Sequence, residues 1–159
     1  MKPDGAPINT LGYLLQHTAG IMYRQSDQVL QERLGIGMSQ FKLLMILQFS
    51  EPVPQRRLAD ILGQTEASIS RQIKLLCEKA MLAIKVNPKN RREHMTVATA
   101  KGIKLADAAR DMLADYHAPI LNTFSPKEVD RLLQALDLLH QNVCAKGKPH
   151  ACGRVKDTV

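Results

Sequence analysis

The fold is decided by residues 58–71, which read Leu58-Ala59-Asp60-Ile61-Leu62-Gly63-Gln64-Thr65-Glu66-Ala67-Ser68-Ile69-Ser70-Arg71. Gly63 separates two helical patterns, because glycine accepts the left-handed backbone conformation that a tight turn needs. Thr65 is a good N-cap for a second helix that runs to about Lys79. The stretch therefore predicts a short helix, a glycine turn and a second, capped helix, which together form a helix-turn-helix.

The second helix has two different faces. On a wheel of about 100° per residue, its apolar side chains cluster within about 60° of one another: Ile69, Ile73, Leu76 and Ala80. The opposite face carries Ala67, Arg71, Lys74 and Glu78, with Ser68 and Ser70 on its flanks. Small residues, hydroxyls and a guanidinium suit entry into the major groove of DNA, and the N–H groups at the helix start favour phosphate. The alternative is an ordinary amphipathic helix with a solvated outer face.

A basic hairpin is predicted next. Leu82, Ile84 and Val86 alternate with other residues as in a strand, residues 87–90 are turn residues, and Met95, Val97 and Thr99 resume the alternation. The predicted tip carries Lys89, Arg91 and Arg92. A narrow projection that bears arginine fits the minor groove, where the negative potential is strongest. A helix-turn-helix followed by such a hairpin is a winged helix.

Long helices are predicted on both sides of this lobe. One runs from about Ile8 to Leu34, a second is capped by Ser39, and a long one runs from about Lys101 to Asn122. Ser125, Pro126 and Glu128 form a capping box that starts the last helix. Because the terminal helices are too apolar to be exposed, we expect a partner chain, and hence a homodimer.

The predicted fold class is mainly α with a small β-hairpin wing, a winged helix-turn-helix with N- and C-terminal dimerisation helices. Four segments are predicted: an N-terminal dimerisation helix (1–36), the DNA-binding domain (37–104), the C-terminal dimerisation helices (105–144) and a flexible basic tail (145–159).

Charge and composition narrow the function. The 159 residues carry 22 Lys and Arg against 15 Asp and Glu, a net charge of +7, and the segment 53–104 alone accounts for that excess. A local basic block favours a polyanion partner, although chance accumulation on solvated helix faces is the alternative. The scarcity of aromatic residues (4%, no Trp) argues against a stacking platform for single strands. No apolar run reaches the roughly 20 residues of a membrane span. Three cysteines favour a reducing cytoplasm over a disulfide framework.

Other chemistry has weaker signals. The chain has no phosphate-cradling glycine loop, nucleophile elbow or metalloprotease histidine pair, so we expect neither an enzyme nor a cofactor. Four acceptable zinc ligands lie near the C-terminus, and they are either a metal site or incidental residues of a frayed tail: His140, Cys144, His150 and Cys152. Cys77 is expected to be a partly buried filler, with redox control as the alternative. Tyr13, His17, Tyr23, Met112 and Tyr116 are expected to be core residues, with an effector pocket between the dimer helices and the DNA-binding lobe as the alternative, and no ligand role is assigned to them.

Residues 58–105 resemble the core of the MarR-type winged-helix transcription regulators, and the helical order extends the resemblance to about residues 8–144. The family pattern is roughly L-A-x-x-L-G-x-T-x-x-T-V-T-R, then a basic D-x-R wing that ends in L-T-x-x-G. This chain has Leu58-Ala59, Gly63-x-Thr65 and Ile69-Ser70-Arg71, then Asn90-Arg91-Arg92 and Thr99-Ala100-Lys101-Gly102. The resemblance implies a homodimer built by the first and last two helices, a pseudo-palindromic operator, and often release of a repressor by a small ligand or an oxidant.

Eleven residues are the predicted DNA contacts: Arg56, Arg57, Thr65, Ala67, Ser68, Ser70, Arg71, Lys74, Lys89, Arg91 and Arg92. Two positions depart from the family pattern. Asn90 replaces the wing aspartate that would orient Arg92, and Ala80 replaces the glycine that ends the recognition helix, which disfavours a left-handed residue there. The alternative function is a helical dimer whose winged lobe binds protein or non-specific DNA, with a metal response through the C-terminal His and Cys residues.

Overall fold

The computed structural model describes residues 7–88 and 90–146. Within them the chain forms six helices and three strands in this order: α1 (Pro7–Leu34), α2 (Met38–Gln48), β1 (Val53–Pro54), α3 (Gln55–Leu62), α4 (Glu66–Glu78), β2 (Leu82–Asn87), β3 (Asn90–Ala98), α5 (Ala100–Leu121) and α6 (Pro126–Lys146). The predicted class, mainly α with a helix-turn-helix and a hairpin wing, is confirmed. The chain divides between Met38 and Ser39 into two compact units.

The start of α2 differs from the prediction. The helix begins at Met38, so Ser39 lies in its first turn and the predicted N-cap at Ser39 is wrong. The Met38 N–H donates to Asp27 Oδ1 at 2.6 Å, and Asp27 Oδ2 accepts from Gln31 Nε2 at 2.6 Å. A carboxylate of α1 therefore satisfies a backbone donor that a local cap satisfies in other helices.

The sheet has three strands rather than the two predicted. Its order is β1-β3-β2, and both pairings are antiparallel. Val53 pairs with Thr96 and Pro54 with Met95, so the short stretch before α3, for which no strand was predicted, contributes an edge strand. Proline is tolerated there because an edge strand does not need every N–H for the sheet. The wing itself carries a bulge between Val86 and Asn87.

The core of the second unit fixes the helix-turn-helix. Leu58 of α3 is fully buried, as are Ile69 and Leu76 of α4, and Ile73 is 2% exposed. Because these three α4 residues hold the inner face of the helix, the opposite face must point outward. Ala80, which was placed on the same apolar stripe, is exposed and lies beyond the end of α4.

The end of α4 is tied to the start of α5. The Met81 N–H donates to Leu76 O at 2.8 Å and the Ala80 N–H to Cys77 O at 2.9 Å, the two bonds of a Schellman motif. Ala80 has a φ of 57°, so it adopts the left-handed conformation that alanine was expected to disfavour. That expectation is wrong at this position.

Thr99 is the N-cap of α5 and not the last strand residue that was expected. Its Oγ1 accepts from the Gly102 N–H at 3.1 Å and donates to Ala80 O at 2.9 Å. A Cβ on Gly102 would lie 2.1 Å from Met81 O, so only glycine fits where α5 passes the α4 terminus. Thr99 and Gly102 of the predicted T-x-x-G ending therefore both stabilise the junction between the end of α4 and the start of α5.

The predicted capping box of α6 forms in part: the Glu128 carboxylate bonds back to Ser125, but the Glu128 N–H donates to Ser125 O at 3.0 Å and not to the Ser125 hydroxyl. Glu128 Oε2 accepts from the Ser125 N–H at 2.8 Å and from the Ser125 hydroxyl at 2.7 Å. Beyond it, Leu133 is 60% exposed and Leu138 63%. Other exposed apolar side chains lie near the end of α5 and on α1: Tyr116, Ile120, Leu121, Leu11, Tyr13, Leu14 and Tyr23.

Among the described residues, no helix has both the length and the apolar character that crossing a bilayer requires. Residues 147–159, most of the predicted basic tail, lie outside the described part of the chain.

Candidate nucleic-acid interface

The turn between α3 and α4 forms as its sequence predicts. Gly63 has a φ of 61° and donates its N–H to Asp60 O at 3.3 Å, while the Gln64 N–H donates to Ala59 O at 3.0 Å. Thr65 then caps α4, because its Oγ1 accepts from the Ser68 N–H at 3.2 Å. The second helix of the motif therefore starts at a defined residue and in a defined direction.

The outer face of α4 is exposed along its whole length. An open concavity on this face is lined by Ala67, Ser70, Arg71, Lys74, Leu75 and Glu78. Neither Arg71 nor Lys74 has a hydrogen-bond or ion-pair partner among the described residues. Four predicted contact residues thus lie together on one surface, and two of them are cations without an internal partner.

Ser68 has a different place from the other predicted contacts. It is half-buried, and its hydroxyl donates to Gln64 Oε1 at 3.2 Å. Gln64 Nε2 in turn lies 3.5 Å from Ser39 Oγ at the start of α2. The polar groups of Thr65 and Ser68 therefore serve the cap and the turn, and they hold the backbone N–H groups at the start of α4 in position.

Arg56 and Arg57 are exposed in the first turn of α3. Their neighbour Gln55 donates from Nε2 to Glu66 O at 3.3 Å, a bond that joins the starts of α3 and α4. The two arginines therefore sit on the helix whose N-terminus is tied to that of α4.

The structure describes only some of the predicted contact residues of the wing. Arg91 is exposed on β3, and Lys85 is exposed on β2. Lys89 lies outside the described residues, as does the side chain of Arg92, whose backbone belongs to β3. The expected effect of Asn90 on the orientation of Arg92 therefore stays a prediction.

Sequence reasoning left two lining residues out of the site. Glu78 was placed on the outer face but not among the contacts, and Leu75, 39% exposed, was not considered. The helical wheel already contained both signals, since each lies about 130–170° from the centre of the buried stripe. Gln64, which anchors Ser68, was also missed, although its i, i+4 spacing to that serine was available.

The structure gives little support to the predicted metal site near the C-terminus or to redox control through Cys77. No group of three or more metal-binding side chains occurs in the part of the chain that the structure describes, and His150, Cys152 and the side chain of Cys144 lie outside that part. Cys77 is half-buried, as predicted for a filler, and burial raises the pKa of its thiol. Tyr13 stacks on His17 within α1, with ring centroids 5.3 Å apart, but Tyr13, Tyr23 and Tyr116 are exposed, so the expectation that they are core residues is wrong in the single chain.

Comparison with known proteins identifies the motif. Residues 34–93 match the model of the MarR family. The fold is similar to that of a MarR-family transcriptional regulator from Rhodococcus sp. RHA1, with 20% identity, a TM-score of 0.72, and 86% of this chain and 97% of that one covered. It is also similar to MepR of S. aureus in a MepR-DNA complex (21% identity, TM-score 0.69, 84% and 97% covered).

A third similar structure is CouR from Rhodococcus jostii RHA1 bound to p-coumaroyl-CoA, with 21% identity, a TM-score of 0.67, and 86% and 95% covered. No match was found among curated proteins. Residues 34–93 thus match the family that the sequence resemblance indicated, and the chain shares the fold of these MarR-family structures.

Proposed function

From this MarR-type winged helix-turn-helix, we propose that the protein is a homodimeric regulator that binds a specific, pseudo-palindromic sequence in double-stranded DNA. The observation that carries the proposal is the outer face of α4, where Arg71 and Lys74 are exposed and have no partner among the described residues. A buried inner face and a tied C-terminus hold this surface rigid. Rigid presentation matters because base recognition requires side chains to meet base edges in a fixed register.

Each predicted contact has a role in the proposed complex. Ala67, Ser70 and Arg71 meet the major groove, where an arginine fork matches the O6 and N7 acceptors of guanine. Lys74, Arg56 and Arg57 contact phosphates, and Lys89, Arg91 and Arg92 approach the minor groove. Thr65 and Ser68 act through the backbone, because their side chains fix the start of α4, whose N–H groups favour phosphate.

The exposed apolar residues support the proposed dimer. In α6 only Val129 and Leu139 are half-buried among residues 126–143, whereas Leu132, Leu133, Leu136 and Leu138 are exposed. An apolar helix face of this size is unfavourable in water. A second copy that packs on α1, α5 and α6 would cover it, and twofold symmetry would place two α4 helices at half-sites about one helical turn apart.

We further propose that the protein is a repressor that a small molecule releases. The structure of CouR with p-coumaroyl-CoA supports a small ligand for a protein of this fold. An oxidant is the weaker alternative, since burial raises the pKa of the Cys77 thiol and the thiolate is the form that reacts. Binding to chromosomal DNA implies a cytoplasmic location.

Selection of duplexes from a random pool tests the proposal and yields the operator. We expect a pseudo-palindrome, a steep salt dependence, and an affinity at least about a thousandfold above that for random duplex. Arg92→Ala should weaken operator binding and leave the dimer intact. Lys127→Ala in the first turn of α6 removes the same charge at a position away from the proposed DNA interface, and it should leave operator binding unchanged. A monomer in light scattering, or equal affinity for all duplexes, contradicts the proposal and favours a winged lobe that binds protein or non-specific DNA.

A further inference from the structure

The outer face of α4 changes sign along its length. Arg71 and Glu78 are seven residues apart, which is about 700° and thus within about 20° of two full turns, so they point in nearly the same direction. Both are exposed and both line the open concavity on this face. The surface proposed to meet DNA therefore has cations in its middle turns, Arg71 and Lys74, and an anion, Glu78, in its last turn.

Glu78 is not neutralised by its neighbours. No ion pair joins it to Lys74, and it has no hydrogen-bond partner among the described residues. The order Lys74 then Glu78 is also the weaker orientation for an i, i+4 pair on a helix. The carboxylate thus adds to the partial negative charge that the helix dipole places at the C-terminal end.

This distribution makes the two ends of α4 respond differently to phosphate. The first turn presents N–H groups and is followed by Arg71 on the outer face, while the exposed Glu66 of that turn lies about 140° around the helix from Arg71, so the outer face at this end attracts the DNA backbone. On the outer face the last turn presents Glu78, which repels a phosphate that approaches from that side, whereas the Lys101 ammonium lies at the Lys79 carbonyl at the end of the helix. From Ala67 to Lys74 the helix rises about 10.5 Å, which matches about three base pairs at about 3.4 Å each.

We propose that Glu78 is a specificity-determining residue, which keeps the last turn of α4 away from the DNA backbone and penalises complexes with non-operator sequences. The inference rests on the proposed function. In a specific complex, contacts of Ala67, Ser70 and Arg71 with bases fix the tilt of α4, and Glu78 stays distant from phosphate. In a non-specific complex the helix samples many tilts against the backbone, and those that bring Glu78 close are unfavourable.

Glu78→Gln tests the proposal, with Glu51→Gln as the matched control, because Glu51 is exposed before β1 and its replacement changes the net charge equally. The probes are a random duplex of about 20 base pairs, two helical turns, and the selected operator. For Glu78→Gln we expect random-duplex affinity to rise about two- to fivefold. Operator affinity should rise by less than about twofold, so the ratio of the two affinities falls. The salt slope for random duplex should steepen by up to about 0.9.

Glu78→Asp retains the charge and should therefore retain the wild-type ratio of operator affinity to random-duplex affinity. If Glu78 had only a structural role, the Gln and Asp variants would not differ in this ratio. An equal rise on both duplexes, or the same change in Glu51→Gln, would overturn the proposal. Failure of the proposed function is recognised separately, since wild-type protein alone would then select no operator. Even so, the random-duplex affinities of the three variants would still decide whether Glu78 repels DNA.

Discussion

Replacing Gly102 by alanine should destabilise the protein and loosen the recognition helix. The new Cβ would lie 2.1 Å from Met81 O, 3.0 Å from Met81 C and 3.2 Å from Leu44 Cδ2. Overpacking typically costs about 1–3 kcal/mol. The upper end applies here, because the obstructing carbonyl is held by the Thr99 N–H at 3.1 Å and cannot swing aside without breaking that bond. Alanine regains about 1 kcal/mol of helix propensity over glycine, which leaves a net loss of about 2 kcal/mol.

Urea unfolding followed by circular dichroism measures this loss, and thermal melting should show a decrease of about 4–8 °C for a chain of this size. Gly20→Ala is the control, because its Cβ would meet only Arg24 Nη1, at an ordinary 3.5 Å, and helix propensity should then favour the variant. Operator affinity should also fall in Gly102→Ala, since a shift of Met81 displaces the α4 terminus. If Gly102→Ala were as stable as Gly20→Ala, the close approach of α5 to α4 would be refuted.

Three further predictions follow from the same geometry. Ala80→Gly should stabilise the protein by about 0.5–1 kcal/mol in urea unfolding, because relief of a left-handed alanine exceeds the added chain entropy; a loss of stability would show that the positive φ of Ala80 carries no strain. Arg71→Ala should cost about 1–3 kcal/mol of operator binding and relax selection at one base pair, with stability unchanged; an equal loss on every duplex would make it a phosphate contact. Hydrogen bonds from the Ser125 hydroxyl and N–H lower the pKa of Glu128. The Glu128 carboxylate therefore stabilises α6 at pH values above the usual pKa of glutamate, and this stabilisation is lost as the pH falls through the lowered pKa. Helicity measured between roughly pH 5 and pH 3 should therefore fall more in wild type than in Glu128→Gln, and parallel curves would contradict the capping role.

Local signals in the sequence were sufficient for most of the helices. The caps at Thr65 and Ser125 involve partners only three residues away, and the first forms as predicted while the second forms in part. Gly63 could be placed at the turn because its conformational preference does not depend on distant residues. Wherever the determining interaction lies within one turn, sequence reasoning located the element and its start.

Non-local interactions account for the errors. Asp27 caps α2 from eleven residues away, and this made the local candidate Ser39 unnecessary. Strand β1 is two residues long and exists through its pairing with β3, more than forty residues later in the chain. The carbonyl of the left-handed Ala80 accepts from the Thr99 hydroxyl, nineteen residues later in the chain. In each case a distant partner overrode a local preference, and one sequence does not reveal such a partner.

Composition alone likewise could not identify which basic residues of the segment 53–104 are available to contact DNA. The composition of this segment predicted a polyanion partner, but composition counts every cation equally. In the structure Lys101 Nζ donates to Lys79 O at 2.9 Å and so stabilises the carbonyl end of α4, whereas Arg71 and Lys74 have no such internal partner. Only cations that exchange a counterion for a DNA phosphate contribute to the slope of log affinity against log salt concentration. The number of phosphate contacts per protomer derived from that slope should therefore be smaller than the number of basic residues in the segment 53–104. Lys101→Gln should accordingly lower stability and leave the slope unchanged, while Lys74→Gln should reduce the slope and leave stability unchanged. The reverse pattern would mean that the basic segment contacts DNA through the junction of α4 with α5 and not through the outer face of α4.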